Sequence, residues 1–289
     1  MVRNSILLVF TILTLATMAC SVTFNLPSNT VTTGQTNTDQ INVPIPTNTA
    51  ETADLTLIFG AGELNLQPGA PDALVSGTAT YNVAQFKPEV TTNGNQVTIS
   101  TGHQDLRGIP NLGNNYKNTW DLKLGDVPMQ LNIKAGAYKG VMELGGLSLG
   151  SLSVADGASQ VKLNFSNPNK VEMDTFRYET GASTVELKGL ANANFSDMIF
   201  KGGAGSYTLD FSGELKQDAT VSVDAGLSSV TIIVPKGVSA RVLVDRGLAN
   251  VDISGDWEKS GSDYSLSGSG PRLTINVNLG AGNLVLRNE

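Results

Sequence analysis

Met198-Ile-Phe-Lys-Gly-Gly-Ala-Gly-Ser-Tyr-Thr-Leu-Asp-Phe211 carries the pattern from which the rest of the chain can be read. Met198 and Phe200 stand at even positions, and Tyr207, Leu209 and Phe211 at odd ones, with Gly202 to Gly205 between them. Large apolar residues at period two mark a strand with one buried face. A change of parity means an extra residue at a corner or bulge, and glycine tolerates the backbone conformation such a place demands.

The same design recurs along the chain. Leu55-x-Leu57-x-Phe59 precedes Gly60-Ala-Gly62, and Leu64-x-Leu66 follows. Val221-x-Val223 leads through Gly226 to Val230-x-Ile232-x-Val234, and Val242-x-Val244 leads through Gly247 to Val251-x-Ile253. Leu273-x-Ile275-x-Val277 leads through Gly280-Ala-Gly282 to Leu284-x-Leu286. The glycines at 136, 157, 181, 203, 226 and 247 are spaced 21, 24, 22, 23 and 21 apart. The interval from 247 to 280 is longer, and its surplus, the Ser/Gly-rich Ser260 to Gly270, reads as a loop inserted in the last unit.

A unit of this length cannot fold alone. Five or six buried apolar side chains contribute about 8–15 kcal/mol gross. Ordering about 22 residues costs roughly 1–2 kcal/mol each, which is more. Stacked neighbours resolve the deficit, so the expected fold is all-β, a repetitive single-stack β-solenoid with coils of about 22 residues. The rival is an antiparallel sandwich with hairpins at the Gly-Ala corners. The solenoid repeats are expected over 128–289, preceded by an N-terminal β region over 53–127.

Composition agrees with strands and turns: 16% of the 289 residues are charged and 31 are glycine. The net charge of −7 is diffuse, with no basic run, which argues against a nucleic-acid partner. Arg3, the apolar run Ile6 to Ala16 and Thr17-Met-Ala-Cys20 resemble a bacterial lipoprotein signal over 1–19. That resemblance implies that Cys20 receives lipid, making the membrane a partner through Cys20 and the location extracytoplasmic. Ser21 gives no support for inner-membrane retention, so inner or outer membrane stays open. Cys20 is the only cysteine, so no internal disulfide can form. Residues 20–52 are rich in Thr, Asn and Pro and read as a flexible tether, spanning on the order of 30 Å as a random coil.

A set of local strings extends the resemblance. Trp120-Asp-Leu-Lys-Leu124, Val127-Pro-Met-Gln-Leu131-Asn-Ile133 with Gly136-Ala137, and Leu144-Gly-Gly-Leu147 belong to it. So do Gly157-Ala-Ser159, Gly181-Ala-Ser183, the run Gly203 to Gly213, and Ile233-Val-Pro235-x-Gly237. Together they resemble bacterial toast-rack domain proteins, relatives of adhesin-type β-solenoids and of the extracytoplasmic domain of Lia-type envelope-stress regulators. The resemblance covers about residue 54 to the end and implies a β-stack at the cell envelope, with no catalytic residues to carry over.

Reactive groups are sparse. His103, the single histidine, sits among polar residues with no Gly-x-Ser-x-Gly elbow, and reads as a loop histidine. Zinc and copper lack ligands, no calcium loop is present, and no cofactor is expected. Asp210, Asp218, Asp224, Asp245 and Asp252 recur in successive units, with Lys236 and Arg246 near them. Glycoside chemistry would need two of these acids to converge, whereas alternation with apolar neighbours puts Asp210 and Asp252 outside, as solvated acids. Phe176, Tyr178, Phe195, Phe200, Tyr207 and Phe211 fit core positions at period two. Tyr178 and Tyr207, with Trp120 and Trp257, are nonetheless the aromatics to consider for contact with a glycan.

The expected function is a non-enzymatic, lipid-anchored envelope module, adhesive or scaffolding, with a glycan, cell-wall or envelope-protein partner. An envelope-stress accessory protein is the alternative, although the chain lacks the multi-span membrane region of the regulators it resembles. A carbohydrate-active enzyme is a distant third.

Overall fold

The computed structural model describes residues 32–46, 52–102 and 115–289. The signal segment, Cys20 and His103 lie outside the described residues. Among those described, fifteen strands join in one sheet, and no helix is long and apolar enough to cross a membrane.

The body of the sheet is a parallel stack of eight long strands. In spatial order they are β2 (Ala53–Ala70), β7 (Met129–Glu143), β8 (Leu149–Asn164), β9 (Met173–Lys188), β10 (Phe195–Asp210), β11 (Ala219–Val234), β15 (Arg272–Asn288) and β12 (Ser239–Ser254). Each makes two sides of a coil. In β11 the alternation of buried residues switches across Gly226 and Leu227, which are both exposed, so the strand turns its corner there. Return segments carry the buried Leu147, Phe165, Leu190 and Phe211 and close the interior. Asparagines hold these returns. The Asn169 Nδ2 donates to the carbonyls of Leu149 and Val171 at 2.8 Å each, and its Oδ1 accepts from the Leu149 N–H at 2.9 Å. Asn192 and Asn194 repeat the device on Phe165 O and Val171 O.

The β-solenoid is therefore the architecture, and the glycine spacing is its register. Gly60, Gly136, Gly157, Gly181, Gly203, Gly226, Gly280 and Gly247 stack as a ladder along one corner. The reason for glycine differs from the expected one. From Gly136 onward no ladder glycine has a positive φ; instead, a Cβ on Gly181 would lie 2.4 Å from Gly157 O, and one on Gly203 2.6 Å from Gly181 O. Close approach of one backbone to the next, not backbone conformation, excludes side chains here.

Three further expectations are corrected. The stack begins at β2, within the region assigned to a separate N-terminal part, because Ala53 to Leu66 pair in register with β7. Part of the segment expected as tether is a strand: β1 (Asn37–Pro44) pairs antiparallel with β3 (Ala73–Tyr81) and buries Ile41 and Val43. The surplus near the end is not a plain loop. It contains a hairpin, β13 (Glu258–Ser260) and β14 (Asp263–Leu266), whose second strand covers Ala240 to Leu243 of β12. The last strand β15 then returns into the gap between β11 and β12, so spatial order departs from sequence order.

The two ends of the stack are finished differently. At β2, the first half is covered by β5 (Gln96–Thr101), itself paired with β4 (Pro88–Asn93). The second half is covered by β6 (Asn118–Gly125), on which β3 pairs. At β12 only the first half is covered. Among the described residues its second half is an open edge, and Leu248 is 89% exposed there.

Candidate functional site

The four aromatics considered for ligand contact all face the interior. Trp120, Tyr178 and Tyr207 are fully buried and Trp257 nearly so. Period-two placement puts them on the inner face, where they stack from coil to coil. Phe59 meets Trp120 edge-on at 5.1 Å between ring centroids, Tyr178 stacks on Phe200 at 5.7 Å, and Phe200 meets Tyr207 at 5.0 Å. None of the four is placed to touch a ligand, so as contact residues they are corrected to core.

The recurring acids do not gather at one point, although two of them share a cleft. Asp218 accepts the Arg272 N–H at 2.7 Å, and Asp210 accepts that of Ser212 at 2.9 Å. Asp224 and Asp245 share one outward column with Asn278 between them. Asn278 Nδ2 donates to Asp224 Oδ1 at 3.2 Å. These two carboxylates project side by side from one sheet face, two strand spacings (about 9.6 Å) apart. Both line one open cleft of about 420 Å³, but they stand on its floor in one column and not on opposite walls, as a pair flanking a glycosidic bond would.

One polar cluster lies inside the stack. Asp156 accepts hydrogen bonds from Tyr178 Oη at 2.9 Å, Ser159 Oγ at 3.0 Å, Tyr138 Oη at 3.4 Å and Thr180 Oγ1. Burial, then the Asp156 charge beside it, pushes the Tyr138 phenol far above its ordinary range. Burial, then Tyr138 and Asp156, does the same to Tyr178. Every oxygen of this carboxylate is engaged, so the cluster is a structural pin joining three coils. Asp156→Ala leaves the Tyr138 and Tyr178 hydroxyls without their acceptor, while Ser159 and Thr180 keep Ser183 Oγ, and is expected to cost about 3 kcal/mol; Asp156→Asn keeps one of the two acceptor oxygens and should cost less, read by chemical denaturation. Equal losses would show that the one oxygen retained does not hold the cluster.

The raised phenols also fix an alkaline limit. Both are protonated in folded and unfolded chains below about pH 10, the unfolded value. Above it only the unfolded chain ionises, so stability conferred below pH 10 is lost as pH rises towards the folded values. Melting temperature should be flat in this respect between pH 7 and 9 and fall beyond 10. Tyr138→Phe together with Tyr178→Phe should flatten that fall.

Another surface cleft brings an aromatic ring together with charged groups. It has a volume of about 620 Å³ and lies where the start of β6 meets the outer corner of the first three coils. Gly62 and Glu63 come from β2, Ala137 to Lys139 from β7, and Ala158 and Gln160 from β8, while Tyr116 to Thr119 form the opposing wall. Asn118 is buried in that wall. Its Nδ2 donates to Ala61 O at 2.7 Å, and its Oδ1 is buried with no partner among the described residues. Gly62 permits this approach, because a Cβ there would fall 2.0 Å from Asn118 O. Tyr116 stands edge-on to Phe86 at 6.2 Å and keeps part of its ring open. Every other aromatic side chain among the described residues is buried. The sequence reading passed over these residues because they come from four separated segments. Their one local signal is Tyr116, an aromatic set among Asn115, Lys117 and Asn118 ahead of the alternating strand.

A family model, the N-terminal domain of toast_rack, DUF2154, matches residues 32–177 and again 168–233. No curated protein matches the chain. Among solved structures, a "putative cell adhesion protein" from Clostridium sporogenes is 18% identical with a TM-score of 0.49, covering 88% of this chain and 100% of that one. A "putative adhesin" from Bacteroides fragilis is 10% identical, TM-score 0.38, covering 88% and 97%. A "Putative lipid binding protein" from Parabacteroides distasonis is 10% identical, TM-score 0.37, covering 87% and 97%. With the family model matched over more than half of its residues, and twice along the repeating stack, this chain belongs to the toast-rack family.

Proposed function

We propose that this protein is a non-enzymatic, lipid-anchored module of the bacterial cell envelope that holds a polymer against its outer surface. The observation that carries this reading is a continuous outward column of polar side chains. Glu63, Lys139, Gln160, Thr184, Ser206, Ser229, Asn283 and Asn250 stand in register on eight consecutive strands. At about 4.8 Å per strand they run roughly 34 Å, the length of several sugar units, on a rigid backbone. Lipid on Cys20 and the Thr/Asn/Pro segment after it would hold that surface away from headgroups. The test combines mass spectrometry of Cys20 with a binding array of cell-wall fragments and extracellular glycans. A lipidated Cys20 and saturable polymer binding are expected. An unmodified Cys20 would remove the anchor, and an array with no signal would remove the polymer.

A second reading, an accessory to envelope-stress signalling, is favoured by a specific feature at the far end. Leu227, 69% exposed, and Leu248, 89% exposed, flank Ala281 on the outer corner beside the open edge of β12. An apolar corner next to unpaired backbone suits a protein partner. Deleting the gene should then alter the response to cell-wall damage, and an unaltered response would discard this reading.

A further inference from the structure

The cleft beside β6 combines three features that one ligand class would use together. The ring of Tyr116, edge-on to Phe86 and only half-buried, lines the cleft. Asn118 Oδ1 is an acceptor held in place, since the same amide is tied through Nδ2 to Ala61 O, and among the described residues it has no donor. A ligand hydroxyl or amide N–H reaching that point would supply the missing donor. Lys117 and Lys139 bring two ammonium groups to the rim against the single carboxylate of Glu63. Among the described residues neither lysine is in an ion pair. The cleft is thus locally cationic on a chain of net charge −7.

We propose that this cleft binds a sugar acid, a pyranose bearing a carboxylate within a longer glycan. The C–H face of the ring packs on Tyr116, a hydroxyl or acetamido N–H donates to Asn118 Oδ1, and the carboxylate sits between Lys117 and Lys139. Neutral glycans would leave both ammonium groups without a partner, and a nucleic acid would demand a longer basic track than two lysines. The polar column described above starts in this cleft, at Glu63, Lys139 and Gln160, and gives the rest of the glycan a path along the stack. The inference rests on the polymer-binding reading and names the chemistry of its first contact.

The experiment is a titration of the full-length chain in detergent with tetragalacturonate and a hyaluronan tetrasaccharide, each beside its carboxyl-reduced counterpart. At least one acidic probe should bind at least tenfold more tightly than its reduced form, with affinity falling as salt rises. Tyr116→Ala and the double change Lys117→Gln with Lys139→Gln should each weaken that binding tenfold or more while leaving the melting temperature within about 2 °C. Equal affinity for acidic and reduced probes, or full affinity in both variants, overturns the assignment. If cell-wall polymers still bind the variants, the polymer-holding role stands and only this site falls. If neither these probes nor any polymer binds the wild-type chain, both fall.

Discussion

Gly181→Val should cost about 3 kcal/mol or more and lower the melting temperature steeply, although it lies on the exposed corner. The residue is exposed, so burial does not explain the expectation. Geometry does: its Cβ would stand 2.4 Å from Gly157 O, while ordinary contact begins near 3.4 Å. The carbonyl cannot withdraw, because β8 and β9 are locked in register on both sides of the corner, at Asp156 with Thr180 and at Ala158 with Ala182. Relief would require the coils to separate and break ladder hydrogen bonds, and overpacking of that kind costs 1–3 kcal/mol even where side chains can yield. The ladder also predicts a grading. Gly157 lies opposite Gly136 O at 3.1 Å from a would-be Cβ, so Gly157→Ala should be milder than Gly181→Ala. Ala182→Leu, one position on, is the internal control: its column already holds leucine at 227 and 248, and the change should be within about 0.5 kcal/mol of neutral. Thermal and urea melts of the four variants decide the matter. Similar losses for Gly181→Ala and Gly157→Ala would show that the ladder is not set by close approach.

Phe200→Ala should be the most damaging core change, at about 3–5 kcal/mol. The ring is fully buried, stacked on Tyr178 of the preceding coil at an interplanar angle of 20° and edge-on to Tyr207 of its own strand at 62°. Its removal opens a cavity and forfeits two aromatic contacts, each worth about 0.5–1.5 kcal/mol beyond area. It also loosens the partner that aims Tyr178 Oη at Asp156, so the polar pin should weaken with it. A double-mutant cycle between Phe200→Leu and Tyr178→Phe is expected to show coupling of at least about 0.5 kcal/mol. Strict additivity would separate the aromatic stack from the polar pin.

Much of this fold is legible before any coordinate is known. Apolar residues at period two, with a parity switch beside glycine at intervals near 22, identify bent strands that must be stacked, since side-chain direction alternates strictly along a strand. The inner aromatics were legible for the same reason, and the four proposed as ligand contacts failed because they obey that alternation. Asn37 to Pro44 was misread as tether because its two buried residues, Ile41 and Val43, are too few to outweigh its polar composition. The cleft was invisible because Glu63, Tyr116, Lys139 and Gln160 carry no mutual signal along the chain; only stacking brings them to one place.

By itself, then, the sequence determined the strand period, the corner glycines and the need for a stack, because these follow from local geometry and from the deficit of a lone coil. Tertiary structure alone decided which coil neighbours which. β12 and β15 carry interchangeable inner faces, Val242 and Val244 against Ile275 and Val277, so either could follow β11. The choice is made by long-range pairing. The carbonyl of Val234 at the end of β11 accepts from Asn288 Nδ2 at 3.1 Å and the Glu289 N–H at 3.3 Å, and Glu289 O accepts from the Lys236 N–H at 3.0 Å. Those contacts join residues more than fifty positions apart, where no period in the chain can register them.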